Sequence, residues 1–484
     1  MKDCGFNFKT TYTTLPDEFF TEPVVDSVPS PKIIVLNNSF ARSIGLDFSD
    51  LTIAEQAELF SGNQLPIGST PFSQAYAGHQ FGYFSMLGDG RAHTWGEHIT
   101  PSGLRIDIQF KGSGRTPYSR SGDGKATLGP MLREYIISEA LYKLGVPTTR
   151  SLAVVKTGES ILRETILPGA ILTRVASSHI RIGTFEFAAK QLDKKGVELL
   201  MNYTIHRHYP SLKESKDKAL NLIQAVMEKQ AELIVHWMRI GFIHGVMNTD
   251  NTTISGETID YGPCAFMDVY DPNTVFSSID HMGRYSYVNQ SKIIQWNLAR
   301  LAETLLAFID SDSNRAIKLA EEKIMQFENI YKNKWIKMMR SKLGMLGSET
   351  GDEQIIIDLL DWMHKHNADY TNTFRDLSQL SKPIGKLYEE KIFEEWYLRW
   401  RDRIKKNIEP LKSSVSLMKS FNPAVIPRNH QVEFVLEEAN RGNLKPFEDF
   451  LYVLKEPYID KEYLKPFQRA PELSERVYQT FCGT

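Results

Sequence analysis

The sequence of 484 residues contains little cysteine, and its three cysteines lie far apart, at Cys4, Cys264 and Cys482. Three scattered cysteines exclude a disulfide-rich scaffold, and they also exclude a zinc site built from paired Cys ligands. Such sparse cysteine is typical of a protein whose thiols stay reduced. We therefore expect a cytoplasmic location.

Long apolar runs are also absent. Runs such as Ile33–Leu36 and Leu152–Val155 are far shorter than the about 20 residues that a membrane-spanning helix needs. The segment Met1–Lys9 contains no apolar stretch and carries an early acidic residue, unlike a secretory signal or a transit peptide. We therefore expect no membrane partner.

The sequence lacks a large excess of either sign of charge. It contains 57 Lys and Arg residues and 59 Asp and Glu residues, for a net charge of -2. Without a global positive field no nucleic-acid partner is expected, and any basic site must be local. The chain has no repeat and no low-complexity segment, which excludes solenoids and propellers. Its 42% hydrophobic residues are enough for more than one packed lobe.

Strand patterns come first along the chain, and helical patterns follow. Leu104–Phe110 alternates apolar and polar residues, which predicts a half-buried strand that ends at Lys111. The glycine turn Gly88–Gly90 between short apolar runs predicts a hairpin. The other predicted elements are strands over Ser151–Lys156 and Ile161–Glu164, helices over Met131–Leu144 and Ala219–Met238, and a short hairpin over Thr252–Ile259.

This order predicts an α+β protein with two lobes and a functional cleft between them. We expect four parts, which are an irregular N-terminal wrapping segment (1–75), a small strand-rich N-lobe (76–175), a larger C-lobe with the catalytic and metal loops (176–290), and a helical C-terminal region (291–484).

Residue types that serve phosphoryl transfer occur in a fixed order along the chain. They are the turn Gly88-Asp89-Gly90-Arg91, Lys111 at a strand end, Glu134 on the next helix, the loop His244–Asn251, and Asp260-Tyr261-Gly262. The same order of glycine turn, lysine, glutamate, His…Asn loop and Asp-aromatic-Gly is found in protein kinases. Asn251 and Asp260 supply the hard oxygen ligands that Mg²⁺ prefers.

One kinase residue is missing from the loop. Protein kinases place the catalytic base two residues after the His and a metal-binding Asn seven residues after it. Here Asn251 is the seventh residue after His244, but the second is Val246, which accepts no proton. Asp250 is the one carboxylate in the loop. A silent nucleotide-binding pseudokinase, a conventional kinase with an unusual base, and a different transfer reaction all remain open.

The motifs resemble the selenoprotein O (YdiU) family of kinase-like protein adenylyltransferases along nearly the whole chain. The resemblance is carried by Gln80–Gly82, Gly88–Arg91, Gln109–Gly114, Ser119–Gly124, Arg133–Tyr135 and Asn248–Asn251. It implies a bilobed protein-kinase-like fold. It also implies transfer of AMP from ATP to Ser, Thr or Tyr hydroxyls of other proteins, with the ATP reversed in the cleft.

The resemblance also implies roles for single residues. The implied nucleotide contacts are Gly88, Gly90, Arg91, Lys111, Asp123, Gly124, Asp260, and the pair Arg174 and Arg181 on the terminal phosphates. The implied catalytic and metal residues are Glu134 holding Lys111, Asp250 as proton acceptor, and Asn251 and Asp260 as ligands of Mg²⁺ or Mn²⁺. A redox-active cysteine near the C-terminus is common in the family, which implies a bridge between Cys264 and Cys482.

Taken singly, these residues also have simpler interpretations. Gly88–Arg91 alone is more often a plain turn, and Lys111 with Glu134 is compatible with a surface ion pair. Arg174 and Arg181 are compatible with solvated charges. Outside the motifs, His206 and His208 lack a third metal ligand and are expected at the surface, whereas Trp396 and Trp400 are expected in the core.

Overall fold

The computed structural model describes residues 2–379 and 381–481. Its N-terminal region is rich in strands, and the remainder of the described chain is mostly helical. The α+β class predicted from the order of the patterns is therefore confirmed.

Half of the twelve strands in the described residues form one antiparallel sheet of six strands. In chain order the strands are β1 (Phe20–Thr21), β2 (Lys32–Leu36), β3 (Ser73–Gln74), β4 (Ala77–Gln80), β5 (Tyr83–Met86), β6 (Ala92–Ile99), β7 (Arg105–Lys111), β8 (Ala126–Thr127), β9 (Arg150–Leu162), β10 (Ile166–Ala176), β11 (Phe242–Ile243) and β12 (Ala265–Phe266). The main sheet has the order β2-β9-β10-β7-β6, with β8 also paired to β10. The pairs β1-β3, β4-β5 and β11-β12 are separate two-stranded ribbons.

The helices lie mostly after the sheet. In chain order they are α1 (Asn38–Ser43), α2 (Ile53–Ser61), α3 (Leu128–Lys143), α4 (Ile182–Gln191), α5 (Lys194–His208), α6 (Lys218–Ile240), α7 (Gln290–Leu305), α8 (Ser313–Ile324), α9 (Gln326–Lys342), α10 (Asp352–Lys365), α11 (Tyr370–Leu377), α12 (Lys391–Lys405), α13 (Leu411–Phe421), α14 (Asn429–Asn440), α15 (Lys445–Val453) and α16 (Lys465–Gln468). The predicted helices near α3 and α6 are confirmed, and Gly241 ends α6 with a φ of 70°.

The alternation in β7 divides its side chains between two environments. Phe110 packs edge-on against Trp95 at 4.5 Å, in a core that also contains Phe60 of α2. Residues of the opposite parity, Gln109 and Lys111, therefore point away from this core, toward the face covered by α3. The predicted strand ending at Lys111 is confirmed, and its period of two aims polar side chains at one face.

The predicted hairpin around Gly88–Gly90 is wrong. β5 pairs with β4, not with β6, and β6 pairs with β7. The β4-β5 turn is Phe81-Gly82, with φ values of 51° and 91°. Positive φ at both positions of a two-residue turn matches the twist of a hairpin, so the tight connection forms there, and Gly88–Gly90 is left as a loop.

Two further sequence predictions differ from the structure. The segment before residue 76 is irregular only in part, because it also contains α1, α2 and β2, which is an edge strand of the main sheet. The two short strands predicted over 151–164 are mainly one strand, β9, because β10 pairs along its length with register shifts. Glu164 lies in the turn that follows.

The predicted hairpin over Thr252–Ile259 is also wrong. Thr253 Oγ1 accepts from the backbone N–H of Glu257 at 3.0 Å and donates to its carbonyl at 2.7 Å. These bonds close a turn and replace a strand pairing, as Thr side chains often do. Thr253 and Thr258 instead form single bridges to Arg181 and Thr148.

The core runs through the sheet face under α3 and into the helical part. Trp396 and Trp400 are buried and stack with ring centroids 5.6 Å apart, which confirms their predicted core position. No helix among residues 2–379 and 381–481 combines the length and the hydropathy that crossing a membrane would require.

Candidate active site

A cleft of about 1450 Å³ opens beside α3 and the loops that follow β11. Residues far apart in sequence line it together. The predicted site residues in its lining are Gly88, Gly90, Arg91, Lys111, Asp123, Gly124, Glu134, Arg174, Asp250, Asn251 and Asp260. The remaining one, Arg181, lies behind the lining, with its Nη1 atom 3.8 Å from Asp260 Oδ2.

Lys111 is held between two carboxylates. Its Nζ atom donates to Glu134 Oε2 at 2.6 Å and to Asp260 Oδ1 at 2.6 Å. The Lys111 and Glu134 side chains are only 7% and 5% exposed, so the pair is not a surface ion pair. Glu134 reaches Lys111 because α3 packs across the sheet face to which the period of β7 directs this lysine.

Arg174 lies beside Lys111 on the neighbouring strand. Its Nη1 atom donates to Asp260 Oδ1 at 2.7 Å, and its Nε atom donates to Gln109 Oε1 at 2.8 Å. Burial alone would lower the pKa of Arg174, but the carboxylates of Asp260 and Glu134 outweigh burial and raise it. Arg174 is thus a buried, fixed cation, and the interpretation as a solvated charge is wrong.

Arg181 has unused hydrogen-bonding capacity. Its side chain is 1% exposed and its guanidinium lies over the ring of Tyr76 at 4.2 Å. Arg181 Nε donates to the carbonyl of His179, but the buried Nη2 atom has no partner among the described residues. A buried, unpaired N–H group is costly, which points to an anionic group that completes this site.

Asp260 is the anion on which these cations converge. Burial disfavours its charged form, but Lys111, Arg174 and Arg181 hold its pKa well below the usual range. Its φ of 62° is left-handed, which is uncommon for an Asp and characteristic of residues over-determined by their surroundings. The carboxylate is therefore ionised and fixed in direction.

Asp250 lies on a short 3-10 turn, Thr249–Asn251, close to the β4-β5 hairpin. Its Oδ1 atom is buried without a hydrogen-bond partner among the described residues. Burial raises the pKa of Asp250 to about 7, against the opposing charge of Arg181. A carboxylate with a free oxygen and a raised pKa has the properties of a proton acceptor.

The side-chain amide of Asn251 uses its nitrogen in a hydrogen bond within the loop. Its Nδ2 atom donates to the carbonyl of Val246 at 3.0 Å, which leaves the amide oxygen as the group for another partner. Asp260 Oδ2 likewise has no contact closer than Arg181 at 3.8 Å among the described contacts. These two free oxygens, with Asp250 nearby, are the hard donor set that suits Mg²⁺ or Mn²⁺. The residues therefore fit a divalent cation. No group of three or more His, Cys, Asp or Glu that would suit a metal occurs in the described part of the chain.

The glycine turn packs tightly on the loop that contains Tyr118. A Cβ atom on Gly88, whose φ is 142°, would lie 2.3 Å from the Tyr118 ring. A Cβ on Gly90 would lie 2.9 Å from the Tyr118 carbonyl. Between them, Asp89 is buried and accepts from Gln109 Nε2 at 3.1 Å. The bond from Gln109 ties the turn to β7. The close approach of Tyr118 leaves no room for a side chain at residues 88 and 90, so more than a plain turn is built here.

Asp123 and Gly124 lie in the cleft lining on the loop before β8. Arg163 grips Asp123 with two hydrogen bonds of 2.9 and 3.0 Å, and this ion pair lowers the pKa of Asp123. Sequence reasoning missed Arg163, and no local motif marks it. It also missed Gln109, although its position two residues before Lys111 in an alternating strand placed both on one face.

The cysteine bridge falls partly outside the described residues. Cys264 Sγ donates to the carbonyl of Tyr261 at 3.2 Å, close to Asp260. Cys482 lies outside the described residues, so the bridge stays a prediction.

The two histidines of α5 differ in their surroundings. His206 is exposed, as predicted, but His208 is partly buried and lies 2.7 Å from Ser178 Oγ through Nε2. Burial lowers the pKa of His208 to about 3. The surface prediction is therefore correct only for His206.

Comparison with known proteins places the chain among the nucleotidyltransferases. The family model described as protein adenylyltransferase SelO matches residues 3–455. The chain is 55% identical over 484 residues to a protein of Nitrosococcus oceani named protein nucleotidyltransferase YdiU, covering 100% of this chain and 98% of the relative. Proteins of the same name from Alcanivorax borkumensis and Clostridium botulinum are 54% and 56% identical over 481 residues, with 99% of this chain and 99% and 98% of the relatives covered. The chain belongs to the protein adenylyltransferase SelO family, as the resemblance of the motifs indicated.

Proposed function

We propose that the protein transfers AMP from ATP to Ser, Thr or Tyr hydroxyls of other proteins, in a cleft between kinase-like lobes. The observation that carries the proposal is the convergence of the buried cations Lys111, Arg174 and Arg181 on one partly exposed carboxylate, Asp260. Arg181 Nη2 is buried and has no hydrogen-bond partner among the described residues, so this group of cations retains a donor for a further anion, and the triphosphate of ATP supplies it.

The depth of the cations supports the reversed orientation of ATP. The Arg174 and Arg181 side chains are 3% and 1% exposed, so phosphates that reach them lie at the inner end of the cleft. With the terminal phosphates inside, the α-phosphate lies nearer the acceptor. The planar forks of Arg suit terminal phosphate oxygens. Gly88, Gly90, Arg91, Asp123 and Gly124 are proposed to contact the remainder of the nucleotide.

Asp250 is proposed to accept the proton. The acceptor oxygen attacks the α-phosphorus, the bond from this phosphorus to the bridging oxygen breaks, and pyrophosphate leaves. The hydroxyl proton passes to the carboxylate of Asp250, whose Oδ1 atom has no competing donor among the described residues. Lys111, oriented by Glu134, stabilises charge on the phosphates during the displacement.

Asn251 and Asp260 are proposed to hold Mg²⁺ or Mn²⁺ through their free oxygens. Such an ion supplies charge neutralisation of the phosphate oxygens when it is bound. Asp260 thus orders the cations of the site and offers its second oxygen to the metal. Its fixed backbone conformation serves both purposes.

The test is parallel incubation of the protein with ATP labelled at the α- or the γ-phosphate, together with protein acceptors. We expect label on protein from α-labelled ATP and none from γ-labelled ATP, with equimolar pyrophosphate released. Label from the γ position alone would identify a conventional kinase. The absence of both labels, with ATP still bound, would identify a silent pseudokinase, the alternative suggested by Val246.

Two controls make the result specific. Acid hydrolysis of labelled protein must release AMP attached to Ser, Thr or Tyr, which separates covalent transfer from tight ATP binding. The Asp250→Asn variant, which keeps the shape of the side chain, must lose the label from α-labelled ATP and still bind the nucleotide.

A further inference from the structure

Arg133 precedes Glu134 on α3 and contacts a different part of the molecule. Its Nε atom donates to the carbonyl of Gly262 at 3.1 Å, and its Nη2 atom donates to the carbonyl of Cys264 at 2.7 Å. Its Nη1 atom donates to Glu433 Oε1 on α14 at 2.7 Å. One guanidinium thus grips two carbonyls, two residues apart, in the segment that directly follows Asp260.

This segment needs an external restraint. Asp260 has a φ of 62°, a conformation that costs free energy and persists only where the surroundings impose it. Gly262 lies between Asp260 and β12, outside any strand, so its carbonyl has no sheet partner. On the other side, the Tyr261 hydroxyl is fixed by the hydroxyls of Thr148 and Thr149 at 2.5 and 2.7 Å.

The consecutive positions of Arg133 and Glu134 couple two contacts through one helix. Glu134 fixes Lys111, whereas Arg133 fixes the backbone that carries Asp260. Lys111 and Asp260 must meet within hydrogen-bond distance, and α3 holds both sides of that contact. The Arg133 side chain is 8% exposed, so its bonds are made away from bulk water, where they are strong.

We propose that Arg133 is a positioning residue, which locks the segment after Asp260 to α3 and so sets the direction of the Asp260 carboxylate. The inference rests on the proposed function, because it concerns the same site. It also gives the C-terminal helical region a part in the site, because Glu433 of α14 holds the third donor of this guanidinium.

The first test measures backbone hydrogen–deuterium exchange in the protein without nucleotide or metal. In Arg133→Met, the peptides covering residues 258–268 are expected to exchange at least about threefold faster than in the wild type, since two charge-assisted bonds are lost. Unchanged exchange in these peptides would overturn the proposal. This readout does not depend on catalysis, so it stands even if the wild type transfers no AMP, which would defeat only the proposed function.

Arg150→Met is the matched control. Arg150 is also a largely buried arginine that contacts α3, through Glu139 at 2.7 and 2.8 Å and the ring of Tyr142 at 3.5 Å. Its loss weakens the attachment of α3 to β9 without touching the carbonyls of residues 262 and 264. Equal acceleration of residues 258–268 in both variants would show that Arg133 only stabilises the helix, and the positioning role would be rejected.

The second test separates the kinetic constants. If Asp260 is misdirected, the KM for Mg²⁺ is expected to rise about tenfold in Arg133→Met, whereas the KM for ATP changes less than about threefold. Arg150→Met is expected to change neither constant. If the KM for Mg²⁺ and the KM for ATP rise by the same factor in Arg133→Met, a role exerted through Asp260 is contradicted.

Arg133→Lys covers the case in which the Met variant does not fold. A lysine ammonium does not span both carbonyls with the geometry of a guanidinium fork. We expect its exchange over residues 258–268 to be faster than that of the wild type and slower than that of Arg133→Met where the latter is folded. Exchange in Arg133→Lys equal to that of the wild type would contradict the proposal that Arg133 must bind both carbonyls. Glu433→Gln is expected to have a smaller effect, because the Glu433 side chain is 47% exposed.

Discussion

The ammonium of Lys111 lies 2.6 Å from Asp260 Oδ1, the same distance that separates it from Glu134 Oε2. A buried lysine with two carboxylates is neutralised without any ligand. Arg174 adds its own contact to Asp260 at 2.7 Å. Asp260 therefore competes with an incoming triphosphate for the cations of the site, and a metal ion on Asp260 would relieve this competition.

Asp260→Ala is expected to separate binding from transfer. AMP transfer should fall at least about a thousandfold, because a proposed metal ligand is lost. ATP binding in the absence of divalent metal should instead become tighter, since Lys111 and Arg174 lose a competing carboxylate. Calorimetric titration with ATP in metal-free buffer, beside the labelling assay, checks both. Wild-type transfer rates in this variant would refute the assignment of Asp260.

Arg181→Met tests the reversed orientation of the nucleotide. If Arg181 grips the terminal phosphate, the wild type binds ATP more tightly than ADP, and this preference should shrink at least about tenfold in the variant. The unpartnered Nη2 atom is the reason to expect a specific phosphate contact. Competition binding of ATP and ADP measures the ratio. Arg163→Met, which removes a more exposed cleft arginine, is the control and should leave the ratio unchanged.

Local signals in the sequence point to Lys111, Glu134, Asn251 and Asp260, whereas Asp123, Gly124, Arg174 and Arg181 are indicated by the resemblance to the family. Lys111 ends an alternating strand, and Asn251 follows His244 at the kinase spacing. The sequence does not indicate which distant residue each charged side chain contacts in the folded protein. The contact of Arg133 with Gly262 spans 129 positions, and no periodic pattern encodes such a contact.

The errors in the fold have a similar cause. Gly88–Gly90 has the composition of a hairpin turn, but the turn forms at Phe81-Gly82, where the pattern was less obvious because a Phe adopts positive φ. Tertiary contacts decide this. The backbone N–H of Phe81 donates to Asn248 Oδ1 at 3.1 Å, which ties the turn to the loop His244–Asn251. Local propensity does not report such a contact.

Asp107→Asn is expected to destabilise the fold by about 2 kcal/mol at pH 7, since a hydrogen bond between buried charged groups is weakened. Asp107 Oδ1 accepts from Arg207 at 2.5 Å, and Oδ2 accepts from the His179 backbone N–H at 2.9 Å. Burial opposes ionisation, but Arg207 and His179 lower the pKa of Asp107 to about 2. Urea unfolding followed by tryptophan fluorescence measures the difference.

The pH dependence of this difference has a defined sign. A depressed pKa stabilises the fold above the unfolded value, about 4 for Asp, and the stabilisation disappears as pH falls through the folded value. The difference in the free energy of unfolding between the wild type and Asp107→Asn should therefore have its full value above pH 5 and become smaller toward pH 2. Asp358→Asn, which alters a more exposed pair with Arg399, should cost about 0.5 kcal/mol or less. A difference in the free energy of unfolding that increases as pH falls would contradict the stabilising role of the ionised Asp107.

Asp250→Asn is expected to lower AMP transfer by about 10² to 10⁴, the usual range for loss of a general base. The amide keeps the size of the side chain but accepts no proton. ATP affinity should stay within about twofold, because Asp250 Oδ1 holds no hydrogen bond among the described residues that the substitution would break. Single-turnover labelling with α-labelled ATP measures the rate. A variant that transfers at the wild-type rate would assign the base elsewhere.

Gly78→Ala offers a finer test of the same carboxylate. Gly78 lies in β4 without a positive φ, so alanine strains no backbone there, but its Cβ would lie 2.2 Å from Asp250 Oδ1. The Asp250 side chain must rotate and the backbone on one side of the contact must also shift, because the added Cβ would lie 2.9 Å from Asp250 Cβ. Transfer should fall about tenfold or more, since small misplacements of reacting groups are costly. ATP affinity should be preserved. Because both changes act on one group, Gly78→Ala should add little to Asp250→Asn, and fully multiplicative losses in the double variant would show that Gly78 acts through something other than Asp250.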